Sequence, residues 1–324
     1  MPLSINTNMA ATRASFYLSK NNNMLQQSLD RLSSGKRINN SSDDAGGLAV
    51  SMKMQGTIDR LTGAESNIGN AISFLQVQDG ILESAGNIVS RMGELKGLYG
   101  DVLKNTTDKA TYDAEFQDLQ GQLFQIAQTK FNGVSLFSQD ANGNGAGAAA
   151  AAGSAVAVFG VGTGRGDNAK TQTVFTTADG SSGSGVSINQ TLLLSAITFN
   201  DAAGTNELAF SASGADGTFS LASKSVSSKT LDDANFTTAL FTKALENIAS
   251  LRAQNGGSVS RLQYAQEDVM AQKTNLEAAN GRIMDVDIAR ESTELAKYNI
   301  LVQASASMVA QASVSTDVAL MLLR

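Results

Sequence analysis

The sequence predicts a mainly α fold: a long antiparallel helical coiled-coil rod built from both termini, with a small β-rich surface lobe inserted between them. Apolar residues recur at helical spacing over both ends of the 324-residue chain, and nearly half of its 30 glycines fall in residues 138–235. The only proline is Pro2, so no proline interrupts the helical segments. Because the chain runs out along one set of helices and must return along another, antiparallel pairing of its ends is the simplest topology.

Two helices are predicted in the first half of the chain. The first has a heptad-like apolar stripe, broken at Glu65, Asp79 and Gly86, and is expected to continue to about Lys104. The second follows a cap at Thr106 or Thr107. The stripes are formed by Met54, Ile58, Leu61, Ile68, Ile72, Leu75, Leu82 and Val89, and by Tyr112, Phe116, Leu119, Leu123 and Ile126. Asn132-Gly133, between Phe131 and Val134, is typical of a hairpin turn.

Both termini carry weaker stripes, in which polar residues alternate with apolar ones. The N-terminal stripe consists of Ala11, Ala14, Leu18, Asn21, Leu25, Ser28 and Leu32. The C-terminal stripes consist of Leu262, Val269, Leu276 and Ile283, and then of Leu295, Tyr298, Val302, Ser305, Val309, Ala312, Thr316, Ala319 and Leu323. These spacings predict amphipathic helices at both ends of the chain.

The middle of the chain has a different pattern, with short apolar or alternating stretches between Gly, Asn, Asp and Ser clusters. The stretches are residues 156–161, 171–177, 186–188, 192–199, 208–210 and 219–221. Such a pattern predicts short strands joined by turns. The preceding run of Gly and Ala, residues 142–153, reads as a flexible linker.

Several kinds of chemistry are disfavoured by composition. The chain has no Cys and no His, which removes disulfides, thiolate catalysis and the commonest metal ligand and general base. The acid pairs Asp43-Asp44 and Asp285/Asp287 lack further ligands at a recognised spacing, so we interpret them as helix caps or inter-chain hydrogen-bond groups. We therefore predict no catalytic, cofactor-binding or metal-binding residue and no enzyme activity.

Nucleic-acid binding and membrane insertion are also not expected. The net charge is −6, and the slightly basic N-terminus lacks the interleaved aromatic residues of a stacking surface. The chain contains no run of 18 apolar residues, and its first residues do not resemble a secretory signal peptide.

The C-terminal segment is unsuited to stand alone in water. Residues 298–324 carry only Asp317 and Arg324 as charges, and they lack a strong Leu/Ile seam. Burial against other copies of the chain would resolve this, and so would docking of a terminal helix on the chain's own globular part. We expect self-assembly contacts at Leu18, Leu25, Leu29, Leu32, Leu295, Leu301, Val302, Val309 and Leu323.

Both flanks, about residues 1–137 and 236–324, resemble bacterial flagellin. The N-terminal likeness lies in Ile5-Asn6-Thr7-Asn8, in residues 31–39 (RLSSGKRIN), in Asp43-Asp44-Ala45, in Gly47-Leu48-Ala49 and in Phe131-Asn132-Gly133. The C-terminal likeness lies in Arg282-Ile283, Asp285, Asp287, Ala289, Glu291, Ile300-Leu301, Gln303-Ala304, Ala310-Gln311 and Leu322-Leu323-Arg324. Residues 138–235 carry none of it, as the family's variable surface region would suggest.

The resemblance implies a structural subunit of the flagellar filament that a rotary motor turns for swimming. It implies inner-tube helices in residues 1–44 and 285–324, an outer-tube core in 45–137 and 236–284, and a variable surface domain in 138–235. The implied partners are identical subunits, the cap and hook-associated proteins and a cytoplasmic export chaperone. Export through the flagellar type III apparatus to an extracellular filament would account for the missing signal peptide.

Some flagellins are sensed by an animal Toll-like receptor through an Arg-x-x-Glu-Leu stretch and a Glu on the next helix. Arg91, Glu94, Leu95 and Glu115 match these residues, whereas Gly93, Lys96 and Gly97 depart from the usual ones. The resemblance therefore implies a receptor contact at the four matching positions. Packing between subunits of the filament is the alternative role for the same residues.

The sequence bears on four alternative functions. A hook–filament junction protein has similar terminal helices, although the matches at residues 31–39 and 322–324 favour a filament flagellin. A metalloprotease lobe needs two His four residues apart and fails because the chain has none. A glycosidase-like carboxylate pair among Asp167, Asp179, Asp201 and Glu207, or a binding lobe within 138–235, has no positive support in the sequence.

Overall fold

The structure of the chain, a computed structural model, describes residues 8–138, 171–199, 219–223 and 230–322. The helices are α1 (Met9–Ser34), α2 (Ala45–Tyr99), α3 (Thr106–Ile126), α4 (Leu193–Ala196), α5 (Thr238–Met284) and α6 (Ile288–Leu322). The strands are β1 (Lys130–Phe131), β2 (Val134–Ser135), β3 (Thr171–Phe175), β4 (Gly185–Asn189), β5 (Thr198–Phe199) and β6 (Phe219–Ser220). The prediction of a mainly α chain with a small β portion is confirmed.

The chain divides into two compact units. Unit 1 comprises Met1–Asp59 and Gln272–Arg324, and unit 2 comprises Arg60–Ala271. Helices α2 and α5 each contribute residues to both units. None of the helices in the described ranges combines the length and hydropathy that a bilayer crossing requires.

Unit 2 has a dense apolar core built by α2, α3 and α5. The fully buried side chains that these helices contribute include Leu61, Ile68, Leu75, Leu82, Val89, Met92 and Leu95 on α2, Phe116 and Leu123 on α3, and Leu240, Ala244, Leu262 and Val269 on α5. The ring of Phe116 packs edge-on against Phe236 and Phe241, with centroids 5.3 and 6.2 Å apart. Most of the predicted α2 stripe therefore points into this core, because heptad spacing keeps one helix face towards its partners.

The polar break at Asp79 in the α2 stripe has a specific partner. Arg252 on α5 donates to the Asp79 carboxylate at 3.1 Å and to Glu83 on the next turn of α2 at 3.1 Å. Buried amides add further links: Gln78 donates to the Leu136 carbonyl at 2.6 Å, and Asn255 donates to the Leu75 carbonyl at 2.8 Å. These bonds fix the register of α2 against its neighbours in a way that apolar packing alone does not.

The strands pair as three short antiparallel ladders. Strands β1 and β2 form the hairpin predicted at Asn132-Gly133, whose φ angles of 48° and 80° match a tight two-residue turn. Strand β3 pairs with β4, and β5 pairs with β6. These ladders fall on the predicted strand stretches 171–177, 186–188 and 219–221. The stretches 156–161 and 208–210 and the run 142–153 lie outside the described residues.

Three local predictions differ from the structure. Helix α2 ends at Tyr99 rather than near Lys104, because Gly100 follows and Gly97 weakens the last turn. The cap of α3 is Asn105, whose side-chain oxygen accepts from the Asp108 amide at 2.8 Å, rather than Thr106 or Thr107. Residues 192–199 form α4 before the short strand β5; the buried Leu193 and Leu194 are good helix formers.

Candidate functional site

The two terminal helices of unit 1 lie antiparallel against each other. Asn8 donates to the Ala312 carbonyl at 2.8 Å, Asn21 donates to the Ser305 hydroxyl at 2.8 Å, and Ser28 donates to the Glu291 carboxylate at 2.5 Å. Numbers rise along α1 as they fall along α6, which confirms the predicted antiparallel pairing of the ends. The polar stripe members Asn21, Ser28 and Ser305 are therefore bonding positions of this seam.

The segments that link each terminal helix to its neighbour are paired with each other. The Val286 amide donates to the Gly35 carbonyl at 3.1 Å, and the Arg37 amide donates to the Met284 carbonyl at 2.6 Å. The Arg37 guanidinium also donates to the Ile283 carbonyl at 2.8 Å. Gly35 ends α1 in a left-handed conformation, with φ of 70°, which glycine adopts without steric cost. Both helix breaks are thus held at the same level of unit 1.

Three members of the acid pairs, Asp43, Asp44 and Asp287, accept from backbone amides at these breaks, which agrees with the cap interpretation for those three. Asp44 accepts from the Gly47 amide at 2.8 Å, and Asp287 accepts from the Ala289 amide at 3.0 Å. The pKa of Asp43 is lowered because the amides of Asn40 and Asn39 and the side chain of Gln27 donate to its carboxylate. Within the described ranges no three His, Cys, Asp or Glu side chains are grouped to hold a metal ion.

Most of the predicted stripe lies on the seam between α1 and α6. The half-buried members are Ala11, Ala14, Leu18, Leu25 and Leu32 on α1, and Leu295, Tyr298, Val302, Val309 and Ala312 on α6. Among the α1 and α6 residues whose side chains are described, the buried ones are Ser28 and Glu291. The seam between these two helices therefore lacks a fully buried apolar core.

The outward faces of the same helices carry large apolar side chains. Phe16 on α1 and Ile300 on α6 are each 66% exposed. Of the predicted assembly residues, Leu29 is 47% exposed and Leu301 is 36% exposed, whereas Leu323 lies outside the described residues. The sequence analysis did not single out Phe16, Ile300 and Met308, because it followed the periodic stripe. The low charge of residues 298–314 is the signal that could have identified Ile300 and Met308.

A groove of about 770 Å³ runs between α1 and α6. Apolar atoms of Met9, Ala14, Tyr17, Leu301 and Met308 form most of its lining. Arg13 is the charged residue of this lining. This surface suits an apolar partner, because burying such side chains is worth about 1.5–3 kcal/mol each.

The four residues matched to receptor recognition separate into two environments within unit 2. Arg91 donates to Glu94 at 2.8 Å and to Glu115 at 2.8 Å on the protein surface, and these two carboxylates raise the pKa of the guanidinium. Leu95 is fully buried in the unit 2 core. The structure therefore brings three charged residues together on the surface and places the fourth inside.

Two family models match the chain. The bacterial flagellin N-terminal helical region matches residues 5–142, and the bacterial flagellin C-terminal helical region matches residues 238–323. The chain belongs to the flagellin family. The N-terminal match contains α1, α2 and α3, and the C-terminal match contains α5 and α6. Both helices of the terminal pair therefore lie within the matched regions.

Curated relatives agree over nearly the full length. A flagellin of Listeria monocytogenes is 30% identical over 313 residues, which are 96% of each chain. A flagellin of Bacillus subtilis is 33% identical over 334 residues, covering 99% of each chain. A flagellar filament 33 kDa core protein of Treponema phagedenis is 29% identical over 331 residues, again 99% of each. Membership of this structural family makes the chain a subunit of a flagellar filament, assembled from identical subunits and located in the flagellum.

Proposed function

We propose that the chain leaves the cell through the flagellar type III export apparatus and polymerises outside it into the filament that drives swimming. The observation that carries the proposal is the apolar outer surface of the α1–α6 pair. Phe16, Ile300 and Met308 are more than half exposed in the single chain, and Met308 lines the groove between the two helices. Contact with neighbouring copies would bury them.

The charge distribution supports the same role for the terminal pair. No charged residue occurs from Tyr298 to Val314, so that part of α6 presents apolar and small polar side chains around its circumference. A helix of this kind is solvated poorly, and it gains most from burial on several faces. The half-buried seam covers one face, which leaves the others for identical subunits.

The domain organisation is proposed on the family resemblance. Residues 1–44 and 285–324 would form the inner tube, residues 45–137 and 236–284 the outer tube, and residues 138–235 the variable surface domain. Helices α1 and α6 fall in the first pair of segments. The non-helical residues 35–44 separate α1 from α2, and the non-helical residues 285–287 separate α5 from α6. These positions are compatible with the proposed division.

The proposed partners follow from the same role. The chain would contact the cap protein at the filament tip and hook-associated proteins at the filament base. Before export it would bind a chaperone in the cytoplasm. Recognition by an animal Toll-like receptor would use the surface cluster of Arg91, Glu94 and Glu115. Leu95 would contribute by packing the helix that carries the cluster, because its side chain is buried.

Seeded polymerisation of the purified full-length chain tests the proposal. Short fragments of depolymerised filament are added to monomer, and growth is followed by sedimentation and electron microscopy. We expect filaments containing this chain as their bulk component, whereas a hook–filament junction protein would be a minor component of sheared filaments. A monomer that never elongates seeds would contradict assembly, and a deletion strain that swims normally would contradict the motility role.

A further inference from the structure

Methionine is the residue of this chain that mild oxidants attack most readily. It has ten Met but no Cys and no Trp, so thioethers are its most readily oxidised side chains. Two of them, Met92 and Met284, are buried in the units. Others are open to solvent, among them Met9, Met52, Met270 and Met308. Oxidation of methionine follows access to the sulfur, so these exposed residues would react first.

Met9 and Met308 occupy a special position among the exposed methionines. Both line the groove between α1 and α6, although they are 299 positions apart in the sequence, and they are 66% and 64% exposed. Tyr17 and Leu301 line the same groove. Met52 on α2 is exposed to a similar extent, and Met270 on α5 is about half exposed. Neither of them lines the groove.

We propose that Met9 and Met308 form a redox-sensitive modification site, at which a peroxide produces methionine sulfoxide and thereby blocks polymerisation of the monomer. The sulfur lone pair attacks one peroxide oxygen, an S–O bond forms as the O–O bond breaks, and the departing hydroxide takes the proton of the transferred hydroxyl, which leaves sulfoxide and water. Sulfur loses two electrons and the peroxide gains them. A thiol-dependent sulfoxide reductase returns both electrons and restores the thioether.

The effect on assembly follows from the polarity of the product. A thioether is a flexible apolar group that adapts to a neighbouring surface, whereas a sulfoxide carries a strong dipole and accepts hydrogen bonds. Arg13 lines the same groove and carries N–H groups that can donate to such an oxygen. A partner helix entering the groove would have to strip water from this polar group. The inference rests on the proposed function, since it requires the groove to be buried on polymerisation.

Graded treatment of full-length monomer with hydrogen peroxide tests the proposal, followed by peptide mass spectrometry and seeded polymerisation. Met9 and Met308 should oxidise several times faster than Met92 and Met284, and the critical concentration should rise about tenfold. Sulfoxide reductase should reverse the rise. The Met9→Leu/Met308→Leu chain should keep its critical concentration after peroxide, since Leu preserves apolar volume and cannot oxidise. The matched control Met52→Leu/Met270→Leu should lose polymerisation as the natural chain does.

A second measurement avoids dependence on the variants. Partly oxidised natural monomer is polymerised, and sulfoxide occupancy is compared between pellet and supernatant. Sulfoxide at Met9 and Met308 should be enriched in the supernatant, whereas sulfoxide at Met52 and Met270 should be equal in both fractions. Equal occupancy at Met9 and Met308, or equal loss of polymerisation in the Met9→Leu/Met308→Leu chain, would overturn the proposal. Failure of untreated natural monomer to polymerise would overturn the proposed function itself.

Discussion

The terminal helix pair and unit 2 are built from similar helices but differ in what they bury. In unit 2, Ile68, Leu82 and Val89 are completely buried on α2 alone. In the described parts of α1 and α6, the buried residues are Ser28 and Glu291, which are polar. Because apolar burial is the main driving force of folding, unit 2 has the core of an independently stable body, and the terminal pair does not.

This difference explains how one chain can be both folded and assembly-competent. Unit 2 satisfies its apolar stripes internally, whereas the terminal pair leaves Phe16, Ile300 and Met308 exposed. The proposed function therefore assigns assembly to the terminal pair, while the buried core assigns stability to unit 2. Changes in one part should leave the other largely unaffected, and the predictions below are tests of that separation.

Removing either terminal helix should have the largest effect on assembly. We expect deletion of residues 1–30 or of residues 300–324 to raise the critical concentration by more than about 100-fold, because the apolar surface to be buried is lost. Unit 2 should keep its cooperative thermal unfolding, measured by circular dichroism. Normal filaments from either truncated chain would show that the terminal pair is not the assembly element.

A cavity in the unit 2 core should have the largest effect on stability. Phe116→Ala removes a fully buried ring that packs against Phe236 and Phe241, and we expect a loss of about 3–5 kcal/mol in the free energy of unfolding. Denaturant titration measures the loss. The matched control Tyr264→Ala, at a side chain that is 73% exposed, should change it by less than about 0.5 kcal/mol. Similar losses in both variants would contradict the assigned core.

A charge on the groove should weaken assembly while leaving the fold intact. Leu301→Asp places a carboxylate among apolar neighbours, and we expect the critical concentration to rise about 10- to 100-fold in seeded polymerisation. Ser182→Asp, in an exposed turn of the middle region, is the control and should change it little. Comparable filament yield from the two variants would remove the groove from the assembly surface.

The seam hydrogen bond should have a moderate and local effect. Ser28→Ala removes the hydroxyl that donates to Glu291 and leaves a buried carboxylate without that donor, at a cost of about 1–3 kcal/mol. Hydrogen exchange of the α1 and α6 amides in the monomer should become faster, while exchange in unit 2 is unchanged. The exposed Ser33→Ala is the control. Unchanged exchange in the Ser28→Ala chain would mean that the seam bond contributes nothing.

Acidification should produce the smallest effect, at the break between α1 and α2. The pKa of Asp43 is lower in the folded chain than the ordinary aspartate pKa of about 3.9. The stability that its carboxylate contributes is therefore fully present above that ordinary pKa and is lost as the pH falls through the pKa of the folded state. Asp43→Asn should remove this pH dependence from the exchange rates of the Asn39 and Asn40 amides. A profile unaltered by the substitution would show that another group controls the break.

The sequence predicted the helices well because their signals are redundant. The α2 stripe spans several heptads, and the turn at Asn132-Gly133 has few alternative conformations, so both predictions agree with the structure. The α3 cap was mispredicted because Asn105, Thr106 and Thr107 can all cap, and only the geometry shows that Asn105 reaches the Asp108 amide. The stretch 192–199 was mispredicted because a short apolar run gives no periodicity that separates a strand from a helix.

The proposed assembly surface is harder to infer from the sequence than the fold is. Periodicity identifies the face that a helix shares with a partner, and on α1 and α6 this face is the seam between them. The outward residues Phe16, Ile300 and Met308 lie off that stripe, and their importance emerges only when the exposed fractions are known. An apolar stripe in the sequence thus indicates where a helix of the same chain packs. Contacts with other subunits must be inferred from the apolar side chains that remain exposed.

Hydrogen–deuterium exchange on dilute monomer and on seeded filament tests the central claim most directly. The amides of α1 and α6 should exchange faster than the α2 and α5 amides of unit 2 in the monomer and become protected by at least about 100-fold in the filament, whereas the unit 2 amides should be protected in both. Equal protection of the terminal helices and unit 2 in the monomer, with no change on polymerisation, would contradict the account.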